Sequence, residues 1–198
     1  MLLGEAGCVG CHAVNVPFAS GDEMFTDYRE YVIGVPQIVP DVSNVDRHGP
    51  AGDEDFGLEQ ITGDPADRYA FRTSPLRNVA LQPYFMHSGA FTTLEDAIRH
   101  HLDAYNSART YSPDQLDPDL RTIGPIEPVL ERLDERIAHP PALTEEEFTD
   151  LLDFVCNGLL DAGARPESLR AELPGSLPSG LALHTFQFGA EPADPCLG

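Results

Sequence analysis

The feature that most constrains this chain is a pair of cysteines two residues apart, followed at once by a histidine: Cys8-Val9-Gly10-Cys11-His12. C-x-x-C-H is the attachment motif for c-type haem. The two thiols add to the two vinyl groups of the macrocycle, and the histidine is carried beneath the ring to coordinate the iron. The motif therefore predicts one covalent haem c, attached through Cys8 and Cys11, with His12 as the proximal iron ligand.

Two other uses of a C-x-x-C pair fit the sequence less well. A structural zinc site needs two more ligands, usually a second close pair, and the remaining cysteines Cys156 and Cys196 are far apart. A thioredoxin-like pair opens a helix after a strand in an alternating α/β pattern, which this sequence lacks. Cys156 and Cys196 either form a disulfide or remain free thiols, and their spacing leaves both options open.

The charge balance narrows the class of partner. The 198 residues include 12 basic and 33 acidic residues, for a net charge of −21. Such a field repels nucleic acids and anionic membrane surfaces, and it favours cationic partners. No apolar run is long enough to span a membrane, and residues 1–5 lack the features of a signal peptide. Because c-type haem is attached outside the cytoplasm, we expect a periplasmic or other extracytoplasmic location, and a mature, truncated or partial sequence.

Apolar periodicity predicts three helices. The clearest covers Phe91–Leu102, with Thr92 or Thr93 as its cap; its apolar stripe turns His101 inward and places His100 on the polar face. The second covers Ile126–Ile137, and the third runs from Leu143 to about Leu159 with a capping box at its start.

Strand signals are few, and a brief strand or loop is expected between Phe25 and Ile38. The pattern predicts an all-α, cytochrome c-like haem domain with long irregular loops over residues 1–163. Residues 164–198 are rich in proline and glycine, and they are predicted to be an extension packed on that domain.

Three further segments carry a family resemblance: Phe71-Arg72-Thr73-Ser74-Pro75-Leu76-Arg77-Asn78-Val79-Ala80-Leu81, Tyr84-Phe85-Met86-His87-Ser88-Gly89 and Thr93-Leu94-Glu95-Asp96-Ala97-Ile98. With the C-x-x-C-H motif, and in this order, they resemble the bacterial di-haem cytochrome c peroxidase family, including its MauG-like branch. Leu177-Pro178-Ser179-Gly180-Leu181 is also similar to MauG-like relatives. The resemblance covers roughly residues 4–160 and corresponds to the C-terminal haem domain only. The chain departs from the two-haem family in having one C-x-x-C-H motif and no tryptophan.

The resemblance implies an electron-transfer haem domain that serves the reduction of hydrogen peroxide. It implies peroxidase activity as part of a two-haem assembly, with a second haem domain and a small electron donor of the cytochrome or cupredoxin type as partners. The alternatives are a stand-alone mono-haem electron carrier, a MauG-like oxidation of a protein side chain, and an open iron that itself reacts with peroxide.

Three residues compete for the sixth position on the iron, namely Met86, His101 and His87. Met86 has the sulfur that many single-haem cytochromes use, on a loop far enough along the chain to cross the ring. His101 lies on the inward stripe of its helix, and the resemblance places the family's distal ligand at this position. We take His101 as the first choice and Met86 as the runner-up. The resemblance places His87 near the interface between the two haems.

Arg72 and Arg77 are candidate partners for the haem propionates, which need cations in an acidic protein. The resemblance also implies a calcium site between the two domains. Backbone carbonyls of Gln82 and Tyr84 would be among its ligands.

Overall fold

Helices supply most of the regular structure in this computed structural model, which describes residues 4–13, 24–39, 48–139, 141–181 and 196. Within those residues there are seven α-helices: α1 (Glu59–Thr62), α2 (Leu94–Leu102), α3 (Ala104–Thr110), α4 (Glu127–Leu130), α5 (Glu135–Ala138), α6 (Glu145–Asp153) and α7 (Pro166–Ala171). The longest have nine residues, and no helix of the described residues is long and apolar enough to cross a membrane.

The described strands form one small antiparallel ribbon. Strand β1 (Glu30–Tyr31) pairs with β2 (Phe71–Arg72), with Glu30 opposite Arg72 and Tyr31 opposite Phe71. Within the described residues helix is thus far more common than strand, which agrees with a helical, cytochrome c-like fold. The extension does contain a short helix, α7, and its residues 182–195 lie outside the described residues.

The helix predicted over Phe91–Leu102 forms as α2 and begins after Thr93. The Thr93 hydroxyl accepts a hydrogen bond from the Asp96 N–H, which satisfies one of the free donors of the first turn. Asp103 then leaves the helical conformation (φ −151°, ψ 71°), and its carboxylate caps α3 by accepting a hydrogen bond from the Asn106 N–H. Because α2 ends at Leu102, His100 and His101 both lie in its last turn.

The prediction of one helix over Ile126–Ile137 is wrong, because the segment splits into α4 and α5. Between them, the N–H of Asp134 donates to the carbonyl of Val32 at 2.9 Å instead of continuing the helix. Asp134 is extended, and its carboxylate caps α5 by accepting from the Arg136 N–H. A tertiary hydrogen bond therefore interrupts an apolar pattern that would suit a single helix.

The third predicted helix forms as α6, with the expected capping box between Thr144 and Glu147. It continues into a π-helical turn over Phe154–Gly158. Its buried side packs in the main apolar cluster, whose buried members are Phe25, Val35, Val79, Ala80, Phe85, Ala90, Phe91, Leu94, Ala97, Leu151, Val155, Cys156 and Leu159. A disulfide joins Cys156 to Cys196, so the end of the chain is fastened to this core.

Candidate haem site

The C-x-x-C-H segment folds into a tight turn. Residues Cys8–Gly10 form one turn of 3-10 helix, and the carbonyl of Cys8 accepts from the N–H groups of Cys11 (3.2 Å) and His12 (2.8 Å). Both thiols are free and half-buried, and burial raises the pKa of each, so both are protonated at neutral pH. The Arg136 guanidinium lies beside the Cys11 thiol. The turn presents two thiols and the following imidazole from one short stretch of chain.

The orientation of His12 is set by a backbone carbonyl. Its Nδ1 lies 2.9 Å from the carbonyl oxygen of the buried residue Phe25. Since a carbonyl only accepts, Nδ1 carries the proton and Nε2 is left with a free lone pair. Burial lowers the pKa of His12 to about 4, which keeps the ring neutral. A neutral imidazole with a free Nε2 is the form that binds a metal.

A backbone carbonyl also sets the orientation of His101. Its Nδ1 lies 2.8 Å from the carbonyl oxygen of Ala97, one turn earlier in α2, so its Nε2 is also free of a proton. Burial lowers the pKa of His101 as well. The rings of His12 and His101 are neighbours in an edge-on arrangement, with centroids 6.4 Å apart and planes inclined by 60°.

This spacing fits an iron ion between the two rings. Two imidazoles that bind one metal from opposite sides, each at about 2 Å, have ring centroids about 6 Å apart. The two cysteines belong to the same turn as His12, and partly buried apolar side chains pack against the main apolar cluster, among them Ile33, Leu76, Ile98 and Leu102. The residues present therefore fit a c-type haem attached through Cys8 and Cys11 and ligated by His12 and His101.

The prediction that His100 lies on the polar, exposed face of its helix is wrong. The His100 side chain is fully buried, with 0% of its surface exposed, whereas that of His101 is partly accessible. Nε2 of His100 lies 2.9 Å from the Ile33 carbonyl oxygen and Nδ1 lies 3.1 Å from the Ser107 hydroxyl. Leu94, Ala97 and His100 are spaced three residues apart and therefore lie along one side of α2. This spacing could have indicated that His100 is buried together with Leu94 and Ala97.

The sequence is similar to those of haem peroxidases. The chain is 29% identical over 175 residues to the cytochrome-c peroxidase IdrP1 of Denitromonas iodatirespirans, which covers 78% of this chain and 37% of that protein. It is 34% identical over 104 residues to the methylamine utilization protein MauG of Paracoccus denitrificans, covering 52% and 26% of the two chains. The chain is related to the di-haem cytochrome c peroxidase and MauG family.

A solved structure agrees with this relationship. A crystal structure of a variant of the diheme peroxidase BthA from Burkholderia thailandensis superposes with a TM-score of 0.51 and 27% identity, covering 78% of this chain and 38% of that chain. No family model matches the sequence. The chain spans about a quarter to about a third of the length of its curated peroxidase relatives.

Met86 and His87 lie together on the peroxidase-like turn that precedes α2. Met86 adopts a left-handed conformation (φ 69°) and is partly buried against the core. His87 stacks on Phe71, with ring centroids 3.4 Å apart and planes inclined by 7°. Both residues border an open groove of about 580 Å³ that Tyr84 also lines. His87 is exposed on that groove.

The remaining candidates lie near the surface. Gln82 and Tyr84 are exposed on the loop that follows the 3-10 turn Val79–Leu81. The exposed Arg72 has its guanidinium 5.3 Å from the ring centroid of Tyr28. The Arg77 guanidinium lies 5.7 Å from the ring centroid of Phe25, whose carbonyl holds His12. Arg77 therefore lies close to the proximal side of the site.

Proposed function

We propose that this chain is an electron-transfer haem domain that works with a second, peroxide-reactive haem domain in the reduction of hydrogen peroxide. The observation that carries the proposal is the opposition of His12 and His101, each with Nδ1 bonded to a backbone carbonyl and Nε2 free. Haem c, when bound, supplies a one-electron ferric–ferrous couple.

Two axial histidines favour electron transfer over reaction with peroxide at this site. Peroxide needs an open position on the iron, and a side chain that fills the sixth position has to leave before peroxide binds. His101 is held by its bond to Ala97 and by its place within α2. It therefore favours a closed, low-spin iron over an open one.

The hydrogen bond from His12 to the Phe25 carbonyl also favours electron transfer. A carbonyl acceptor keeps the proximal imidazole neutral and fixes which nitrogen faces the metal. Neither axial ring then needs to gain or lose a proton when the iron changes oxidation state. This suits a site whose task is to pass electrons with little rearrangement.

The assignment to one half of a two-haem protein rests on length and motif. The chain has one C-x-x-C-H motif, and it covers 38% of the diheme peroxidase BthA chain. We propose that it corresponds to the C-terminal haem domain, with residues 1–163 as the haem-binding part and 164–198 as an extension. His87 would face the second haem domain, and a small cytochrome or cupredoxin would supply electrons in the periplasm.

The other proposed roles follow from position. Arg77 and Arg72 would pair with the haem propionates, because each lies near the segment that carries Phe25 and Tyr28. Carbonyls of Gln82 and Tyr84 would contribute to a calcium site at the domain boundary. The similarity to MauG favours one alternative reaction, the oxidation of a protein side chain by the two-haem assembly.

Absorption spectra of the haem-loaded chain, ferric and then ferrous, test the proposal. The wild-type protein is expected to be low-spin and to lack the weak far-red band of methionine–iron ligation. His101→Gly should be high-spin, and added imidazole should restore the low-spin spectrum, because the free base takes the place of the lost ring. Met86→Leu is the matched control and should leave the spectrum unchanged.

Each other result points to a different function. A far-red band that is lost in Met86→Leu would make Met86 the ligand and favour a high-potential electron carrier. A high-spin wild-type spectrum would mean an open iron, and peroxide chemistry in this chain would then replace electron transfer as its function.

A further inference from the structure

His100 is the most deeply buried ionisable side chain next to the site. Its Nε2 faces the Ile33 carbonyl, which only accepts, so Nε2 carries the proton and donates. In the neutral ring, Nδ1 then accepts from the Ser107 hydroxyl. Burial lowers the pKa of His100 to about 4, in agreement with a neutral ring. Both ring nitrogens are therefore satisfied inside the protein.

The two hydrogen bonds connect three separate parts of the chain. His100 belongs to α2, Ser107 to α3, and Ile33 to the segment that follows β1, 67 residues away in sequence. That segment is itself fixed, because Gly34 has φ +74° and a Cβ at this position would lie 3.2 Å from side-chain atoms of Leu130 and Leu133. The Ile33 carbonyl is thus presented by a tightly packed backbone.

The hydrogen bonds of His100 restrain the last turn of α2, which also carries His101. His101 follows His100 directly, and α2 ends one residue later, where a helix frays most readily. The two imidazole rings are 6.1 Å apart and inclined by 85°, so they point in different directions from adjacent Cα atoms. A bond that fixes the Cα of His100 also fixes the Cα of His101, at a rise of about 1.5 Å per residue.

We propose that His100 is a positioning residue for the distal ligand: it fastens the last turn of α2 to Ile33 and Ser107 and so holds His101 at bonding distance from an iron on His12. This inference rests on the proposed ligation by His12 and His101. It assigns His100 no contact with the haem and no change of protonation.

The test uses the haem-loaded full chain and its spin state. His100→Phe keeps a ring in the cavity and removes both hydrogen bonds. We expect the ferric high-spin fraction to rise at least tenfold over wild type, because His101 then samples positions out of reach of the iron. Saturating imidazole should return the spectrum to low spin. His100→Gln keeps an N–H donor for Ile33 and should show a smaller rise, as should Ser107→Ala.

A matched control separates positioning from loss of stability. Leu151→Ala leaves a cavity in the same core, and it should lower the thermal unfolding midpoint while leaving the iron low-spin. Circular dichroism shows whether each variant is folded at the temperature of the spectrum. If His100→Phe does not fold, His100→Gln and Ser107→Ala are judged by the same criterion.

The possible results are distinct. Variants that lose stability but stay as low-spin as Leu151→Ala would show that His100 is only part of the core and would overturn the inference. A wild-type protein with methionine–iron ligation or a high-spin iron would instead overturn the proposed function, and this inference with it, before any His100 variant is considered.

Discussion

The two sides of the candidate haem site are built in different ways. The proximal side is local: Cys8, Cys11 and His12 lie within five residues, and the turn that joins them is closed by its own backbone hydrogen bonds. The distal side is assembled from distant parts of the chain. His101 depends on where α2 lies, and α2 is fastened through His100 to Ile33 and through Arg99 to Glu145.

This difference affects what a mutation can do to each side. On the proximal side of the proposed site, the bonds from Cys8 and Cys11 would fix His12 relative to the macrocycle, so we expect loosening of the neighbours to change stability more than geometry. On the distal side, only non-covalent contacts fix the ligand, so the same loosening changes the distance between ring and iron. We therefore expect stability and spin state to respond separately to changes on the two sides.

The largest expected effect is on the proximal side. Cys8→Ala combined with Cys11→Ala should abolish covalent haem, measured as haem that stays with the polypeptide on a denaturing gel. Cys156→Ala combined with Cys196→Ala is the control, since it removes the same number of sulfurs and should keep the haem attached. Haem that remains attached in the first double variant would contradict the assignment of the motif.

A smaller effect is expected from Tyr31→Phe, which loosens the proximal turn without touching its cysteines. The Tyr31 hydroxyl donates to the Asp27 carboxylate at 2.5 Å, and the Asp27 N–H donates to the Cys11 carbonyl at 3.0 Å. The variant should lose about 1–2 kcal/mol of unfolding free energy, which is at the lower end of the values for hydrogen bonds to charged groups because this bond is only partly buried. Its iron should remain low-spin.

The cost of Tyr31→Phe should depend on pH. Burial raises the pKa of the Asp27 carboxyl, but hydrogen bonds from Tyr31 and the Arg29 N–H outweigh it, so this pKa lies below its usual value. Because the pKa of Asp27 is lower in the folded than in the unfolded state, its ionised carboxylate stabilises the protein above the ordinary pKa of about 4. This stabilisation is lost as the pH falls through the pKa of the folded state. Unfolding midpoints of wild type and variant should differ at pH 6 and converge near pH 2.

The smallest expected effect concerns the exposed link on the distal side. Arg99 bonds to Glu95 at 2.9 Å and to Glu145 at 3.1 Å, and its guanidinium lies 3.7 Å from the ring centroid of Phe148. Arg99→Met should cost under about 1 kcal/mol, because exposed ion pairs are screened by water and salt. The loss should shrink further in 0.5 M salt, which urea unfolding at two salt concentrations measures.

The spin state of Arg99→Met sharpens the comparison. It should stay low, because the buried bonds of His100 remain in place. A rise in the high-spin fraction equal to that of His100→Phe would mean that any link to α2 positions His101, and the special role of His100 would be lost.

Sequence predicted best what is written in neighbouring residues. The haem motif, the capping box of Thr144 and Glu147 and the Thr93 cap each depend on residues within three or four positions of one another. The pairing of His12 with His101 could be predicted only in part, because the two residues are far apart in sequence. Met86 and His101 are both chemically suitable ligands, and only the placement of α2 brings His101 to 6.4 Å from His12.

The errors share one physical cause. The sequence places His100 on the polar face because it shares a helical stripe with Thr93 and Asp96, but its partner is the Ile33 carbonyl, which any residue type could supply. The helix over Ile126–Ile137 splits because the N–H of Asp134 bonds to the Val32 carbonyl. Backbone carbonyls of one short segment, residues 32 and 33, thus decide both outcomes, and sequence patterns carry no signal for such acceptors.

The disulfide gives this chain two cysteine pairs with opposite requirements during maturation. Cys8 and Cys11 must remain thiols until they add to the vinyl groups, whereas Cys156 and Cys196 must lose their hydrogens to become linked. A reductant that keeps Cys8 and Cys11 as thiols can also reduce the disulfide between Cys156 and Cys196. Cys156 is only 1% exposed, whereas Cys196, Cys8 and Cys11 are all partly exposed. Formation of the disulfide before haem attachment would bury one of its two sulfurs and so limit its reduction while Cys8 and Cys11 are kept as thiols.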